Sequence, residues 1–147
     1  MNNYDYRVNL VDDYLKKLNL SNEIKKYYSG RNILVTGGAG AIGSNLVTTL
    51  SKLVGNDGMI IVLDNLSAIK GDEPIDLPPL SNMMFVNGDI RNDIDLKRVF
   101  REKPTIVYHL AAFFANQNSV DYPETSADVD IHGMIKLLDL AQCTGVD

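Results

Sequence analysis

Residues 34–47 read "LVTGGAGAIGSNLV" and place four glycines, Gly37, Gly38, Gly40 and Gly43, within seven positions. The apolar run "NILV" (32–35) leads in, and its composition reads as a short buried strand. Ile42, Leu46, Leu50, Leu53 and Val54 follow at helical spacing. Glycine is therefore concentrated where a strand hands over to a helix. The first N–H groups of a helix have no internal partner, and the helix dipole places about half a positive charge there. A diphosphate can settle against those amides only if side chains keep clear, and glycine also permits the tight turn and the close helix–strand packing. Gly38, Gly40 and Gly43 satisfy G-x-G-x-x-G, while Thr36, Gly37, Gly40 and Gly43 satisfy T-G-x-x-G-x-x-G.

A second apolar run, "MIIVLD" (59–64), ends in an acid 21 positions after Gly43. A carboxylate there can accept from the hydroxyls of an adenosine ribose, which makes the stretch a dinucleotide fingerprint. Asp64 would also repel a 2′-phosphate, with no Arg close behind it, so NAD is expected over NADP. The bland alternative is a tight turn without ligand and an Asp64 that merely caps its loop.

Outward from this centre, strands and helices alternate. "MMFVNGD" (83–89) and "TIVYHLAA" (105–112) read as third and fourth strands, and Asn92 as the cap of a helix burying Leu96, Val99 and Phe100. Residues 65–81, with Gly71, Pro74, Pro78 and Pro79, read as a loop, and a further loop runs through Pro123. Ile131, Met134, Ile135 and Leu138 mark the apolar face of a last helix, with Gly145 as its stop. The pattern predicts an α/β fold: a parallel sheet with helices on both faces. Val8, Val11, Tyr14, Leu15 and Leu18 outline an amphipathic helix in the first thirty residues, and Ser21 starts a second with Ile24, Tyr27 and Tyr28. No internal repeat and no low-complexity tract interrupts the chain.

The bulk properties exclude several classes. The chain has 147 residues, is 45% hydrophobic and carries a formal net charge of −5, which suits a globular domain and opposes non-specific nucleic-acid binding. The Lys16-Lys17 and Lys25-Lys26 pairs read as solvated helix faces. No apolar run approaches a membrane span, and the first residues lack the pattern of a signal peptide, so a cytoplasmic location is expected. Cys143 is the single cysteine, so no intramolecular disulfide forms, and its place in a helical pattern predicts a small buried hydrophobe. His109 and His132 stand at no metal-like spacing, and a structural role is expected of each; no metal site is expected.

"TGGAGAIGSNLV", "VLDNLS", "NGDIRN" and "YHLAA", in that order, resemble the extended short-chain dehydrogenase/reductases, nearest to the nucleotide-sugar epimerases and dehydratases. The resemblance covers about residues 31–147 and implies a Rossmann-type domain truncated after about four strands, with residues 1–30 as a helical extension. It implies that Gly37, Gly40, Ala41, Ile42 and Gly43 form the pyrophosphate turn and that Asp64 and Asn65 hold the adenosine ribose beside Leu66 and Ser67. Asp89 and Ile90 would flank the adenine, the Asp89 carboxylate accepting from its exocyclic amine. Leu110, Ala111 and Ala112 would line the nicotinamide side. Ser119 and Val120 of "NSVDYPE" (118–124) would border the substrate cleft, although Ser119 is equally an ordinary loop serine. Phe113 and Phe114 are either cleft wall or core, with core favoured for large aromatics. Where the family has Asn, this chain has Asp130, which when ionised accepts hydrogen bonds and donates none.

The same resemblance implies a nucleotide-sugar substrate, a homodimer, and transient hydride transfer at the sugar. That chemistry needs a Tyr with a Lys four positions later and a Ser or Thr beside them. None of the seven tyrosines is followed so: the fourth positions after them hold Val8, Leu10, Leu18, Arg31, Asn32, Ala112 and Ser126. The catalytic groups and the substrate domain are thus expected beyond Asp147, this chain alone is expected to be inactive, and an unpaired sheet edge is expected. The competing expectation is a non-catalytic NAD-binding regulator or scaffold of the same fold.

Overall fold

The computed structural model describes residues 3–68, 75, 77–114 and 116–147. Gly71 and Pro74, named above as loop residues, lie outside the described residues.

The chain runs α1 (Asn3–Leu18), α2 (Asn22–Tyr28), β1 (Asn32–Thr36), α3 (Ala41–Val54), β2 (Met59–Asp64), β3 (Met83–Asn87), α4 (Asp93–Phe100), β4 (Ile106–His109), α5 (Asn116–Asp121), α6 (Pro123–Ala127), a π-helical turn (Asp128–Gly133) and α7 (Met134–Thr144). The four strands form one sheet in the order β3-β2-β1-β4, and every pairing is parallel. β1 is central: Leu34 pairs with Ile61 on one side and with Val107 on the other.

Side chains alternate across each strand, so the sheet has two buried faces. Leu34, Ile61, Leu63 and Val86 pack with Leu96, Val99 and Phe100 of α4 and Leu137 of α7. Ile33, Val35, Ile60, Val62 and Ile106 pack on the opposite face with Val47, Leu50 and Val54 of α3. The expected α/β architecture with helices on both faces is what the chain adopts. Asn92 caps α4 as expected, its side chain accepting from the Ile94 N–H, and Leu96, Val99 and Phe100 are buried.

Ser21 caps α2 by accepting from the Ile24 N–H, and Asn19 at φ 44° separates α2 from α1. The two helices are fixed to the sheet domain: Asp12 pairs with Lys52 of α3 at 3.1 Å, and Tyr28 and Tyr108 share a hydroxyl–hydroxyl hydrogen bond of 2.7 Å. Tyr27 holds the Arg31 guanidinium over its ring at 4.4 Å.

Several expectations are corrected. β4 ends at His109, so Leu110, Ala111 and Ala112 lie beyond the strand rather than in it. β3 likewise ends at Asn87, short of Asp89. The segment around Pro123 is two short helices instead of a loop. Cys143 is exposed, because its side of α7 faces away from the sheet. The last helix buries Leu137 and leaves Ile131, Met134, Ile135 and Leu138 outside. α7 is apolar nearly all round, so periodicity alone did not reveal which side meets the sheet.

Candidate dinucleotide-binding site

The strand order reverses between β1 and β4. In an open parallel sheet, such a switch point leaves a crevice at the carboxyl ends of the strands. The glycine loop after β1 and the 110–114 segment after β4 meet there. A Cβ on Gly37, at φ +69°, would lie 2.6 Å from the Ala111 nitrogen. Thr36 joins the two segments further. Its backbone oxygen accepts from the Leu110 N–H, and its hydroxyl oxygen accepts from the Ala111 N–H and bonds the His109 Nδ1 at 2.7 Å.

The loop glycines do different work. A Cβ on Gly43 would lie 2.2 Å from the Gly37 oxygen, and one on Gly38 would lie 2.7 Å from Val62. Those two positions are closed to side chains by internal packing. Gly40 is not: its φ of −75° and ψ of 174° suit any residue, and a Cβ would meet only the Gly37 oxygen, at 3.4 Å. Gly40 is the N-cap of α3 and supplies no side-chain hydrogen bond. The first turn of α3 therefore takes no capping hydrogen bond from a side chain at Gly40. Ala41 and Ile42 form that turn, and Ile42 is 76% exposed. Ser44, one turn in, carries a buried hydroxyl without a hydrogen-bond partner, a feature the sequence reading missed.

Asp64 stands at the end of β2 beside this loop. Its Oδ2 accepts from the Ala39 N–H at 2.9 Å and its Oδ1 from the Leu66 N–H at 2.8 Å. The second bond closes an Asx turn that holds Leu66 at φ 59°, a left-handed conformation costly for a branched apolar residue. Each carboxylate oxygen keeps a further lone pair. Asn65 repeats the device, its Oδ1 accepting from the Ser67 N–H at 3.0 Å.

Asp89 is arranged differently from expectation. Its Oδ1 accepts from the Arg91 N–H and Nε, and its Oδ2 from the Arg91 Nη2 and the Asn65 Nδ2. Four donors fill the carboxylate, so an adenine amine would have to displace one of them. The Arg91 fork, opposed by partial burial, holds the Asp89 carboxyl well below the usual carboxylate range. Arg91 also reaches Asp128 at 3.3 Å, tying this corner to the π-helical turn. Ile90 is buried, and a Cβ on Gly133 of that turn would press within 2.7 Å of it.

Asp130, on the same turn, accepts from the Phe113 N–H at 2.8 Å and from the Ser126 hydroxyl at 3.0 Å. Burial lowers the His109 pKa, although the Asp130 charge acts in the opposite sense. Phe114 is 85% exposed, which rules out a core role for it, while Phe113 is partly buried. Ser119 is exposed on α5, its hydroxyl donating to the Asn116 oxygen. His132 is exposed and lies 3.5 Å from Asp128. Among the described residues, no three His, Cys, Asp or Glu side chains gather as a metal site.

Comparison with known proteins agrees with this fold. The family model for GDP-mannose 4,6 dehydratase matches residues 34–147. The chain belongs to this family. It is 36% identical over 114 residues to the UDP-glucose 4-epimerase of Mycolicibacterium smegmatis, covering 77% of this chain and 35% of that one. Its fold matches the structure of an epimerase from Methanothermobacter thermautotrophicus with a TM-score of 0.76 at 48% identity, over 84% of this chain and 35% of that one. It also matches the Thermus thermophilus UDP-glucose 4-epimerase, solved in complex with NAD, with a TM-score of 0.62 at 36% identity, over 79% of this chain and 35% of that one. The family member described here therefore spans about a third of the length of the relatives it matches. No helix among the described residues is long and apolar enough to cross a membrane.

Proposed function

We propose that this chain is the NAD-binding portion of a nucleotide-sugar epimerase or dehydratase. The observation that carries the reading is Gly40, a glycine that neither backbone conformation nor internal packing requires, at the N-cap of a helix that receives no side-chain cap there. Removing a side chain there has a purpose if a ligand comes close to the backbone. Gly37, Gly40, Ala41, Ile42 and Gly43 would take the diphosphate. Asp64, with a lone pair left on each oxygen, would accept from the ribose hydroxyls, with Asn65 and Ser67 beside it. Asp89 and Ile90 would flank the adenine. Leu110, Ala111 and Ala112, held against Gly37 through Thr36, would line the nicotinamide side. NAD supplies hydride transfer to and from the sugar when bound.

On this reading Phe114 and Ser119 border the substrate. No tyrosine of this chain has a Lys four positions later, and on this reading the chain by itself is inactive. Residues 1–30 are an added element docked on α3. The exposed apolar face of Ile131, Met134, Ile135 and Leu138 supports a homodimer through α7. A cytoplasmic location accords with the single cysteine.

Calorimetric titration tests the proposal. NAD+ is expected to bind, and NADP+ to bind at least tenfold more weakly because Asp64 opposes a 2′-phosphate. Equal affinity for both, or none for either, would overturn it.

A further inference from the structure

Two acids on opposite sides of the crevice are treated differently by the fold. Asp89 is matched by the Arg91 guanidinium, so its charge is largely compensated where it stands. The donors that Asp130 engages are both neutral: the Phe113 peptide N–H and the Ser126 hydroxyl. Neutral donors orient a carboxylate without cancelling its charge. The segment that Asp130 grips is the continuation of 110–112, which Thr36 binds from the β1 side. Residues 110–113 are thus held between β1 and the π-helical turn, and a partly buried carboxylate lies within one hydrogen bond of their backbone. Its field also extends to His109 at the end of β4.

We propose that Asp130 is a specificity-determining residue that biases the site toward the oxidised nicotinamide. This rests on the reading of 110–112 as the nicotinamide wall. The nicotinamide ring carries a positive charge in NAD+ and none in NADH. A carboxylate behind the wall attracts the first and is indifferent to the second. The segment is only partly buried, so the attraction is screened but not abolished. Asp130 therefore acts on the redox balance of the cofactor through space, in addition to holding the Phe113 amide in place.

The test is Asp130→Asn. The amide oxygen still accepts from the Phe113 N–H, and the amide nitrogen can donate to the Ser126 hydroxyl, so both contacts survive while the charge is lost. NAD+ and NADH are titrated separately into wild-type, D130N, S126A and D139N proteins, with thermal melts of each. In D130N, NAD+ is expected to weaken about three- to tenfold while NADH is unchanged, by the screened Coulomb attraction between unit charges. D139N, which removes an exposed charge from α7, is expected to alter neither. S126A keeps the charge and removes one neutral donor, so it is expected to keep the wild-type preference for NAD+ or sharpen it. A parallel loss of both cofactors in D130N would mean that Asp130 only holds the segment, and would overturn the proposal. So would an unchanged ratio in D130N. If D130N does not fold, a reduced preference in S126A overturns it independently. If the wild-type protein binds neither cofactor, the nicotinamide-wall reading fails first and takes this inference with it.

Discussion

Gly40 and Gly43 stand three positions apart in one loop, yet alanine is expected to act on them in opposite ways. At Gly43 the new methyl carbon would sit 2.2 Å from a backbone oxygen that no side-chain rotation can move. G43A is expected to cost about 1–3 kcal/mol or more, as overpacking does, and to lower the melting temperature accordingly. At Gly40 the methyl has room and the backbone angles suit alanine. G40A is expected to change stability by less than about 1 kcal/mol, the scale of an N-cap exchange, and to weaken NAD+ binding at least tenfold. Melting curves and titrations on the two variants separate the roles. Unimpaired NAD+ binding by G40A would remove the main support for the site. Both glycines were visible in the spacing, but their division of labour was not, because a motif records where side chains are missing and not what fills the space.

The elements show where periodicity succeeds and where it fails. α4 was legible from its cap and from the spacing of its three buried apolar positions, even though Ile94 in its first turn is exposed. In α7 one apolar face packs Leu137 into the sheet and another, with Met134, Ile135 and Leu138, points outward. Both satisfy helical spacing, and only docking chooses between them. The outward face gives an expectation about assembly. Replacing Ile135 and Leu138 by Glu is expected to convert a dimer to monomer in sedimentation, while each exposed change alters monomer stability by about 0.5 kcal/mol or less. A monomeric wild-type protein at tens of micromolar would sink the homodimer proposal. The π-helical turn had no signature in the sequence. Gly133 lets it press on Ile90, and Asp128 and Asp130 reach from it to opposite corners of the crevice.

At the scale of the whole molecule, the first thirty residues act through contacts far along the chain. Tyr28 and Tyr108 share a hydrogen bond across the junction of α2 and β4. Burial first, and then that bond, push the Tyr108 pKa up to about 12. The folded state thus favours the neutral phenol. The stability that follows is fully present below about pH 10, the ordinary tyrosine value, and is lost as pH rises through 12. Thermal melts between pH 9 and 12 are expected to show this loss, and Tyr28→Phe, which removes one contributor, is expected to make it shallower. A melting temperature flat across that range would refute the assignment. The sequence by itself determined the alternation of strands and helices, the position of the glycine turn and the acid that follows it. Those features depend on local chemistry: burial period, backbone freedom and charge at a strand end. Only the tertiary structure decided that Asn65 donates to Asp89, that Thr36 ties the glycine loop to the segment after β4, and that Asp130 grips that segment from behind. Each of these joins side chains to groups that become neighbours only when the sheet assembles, so no local spacing encodes them.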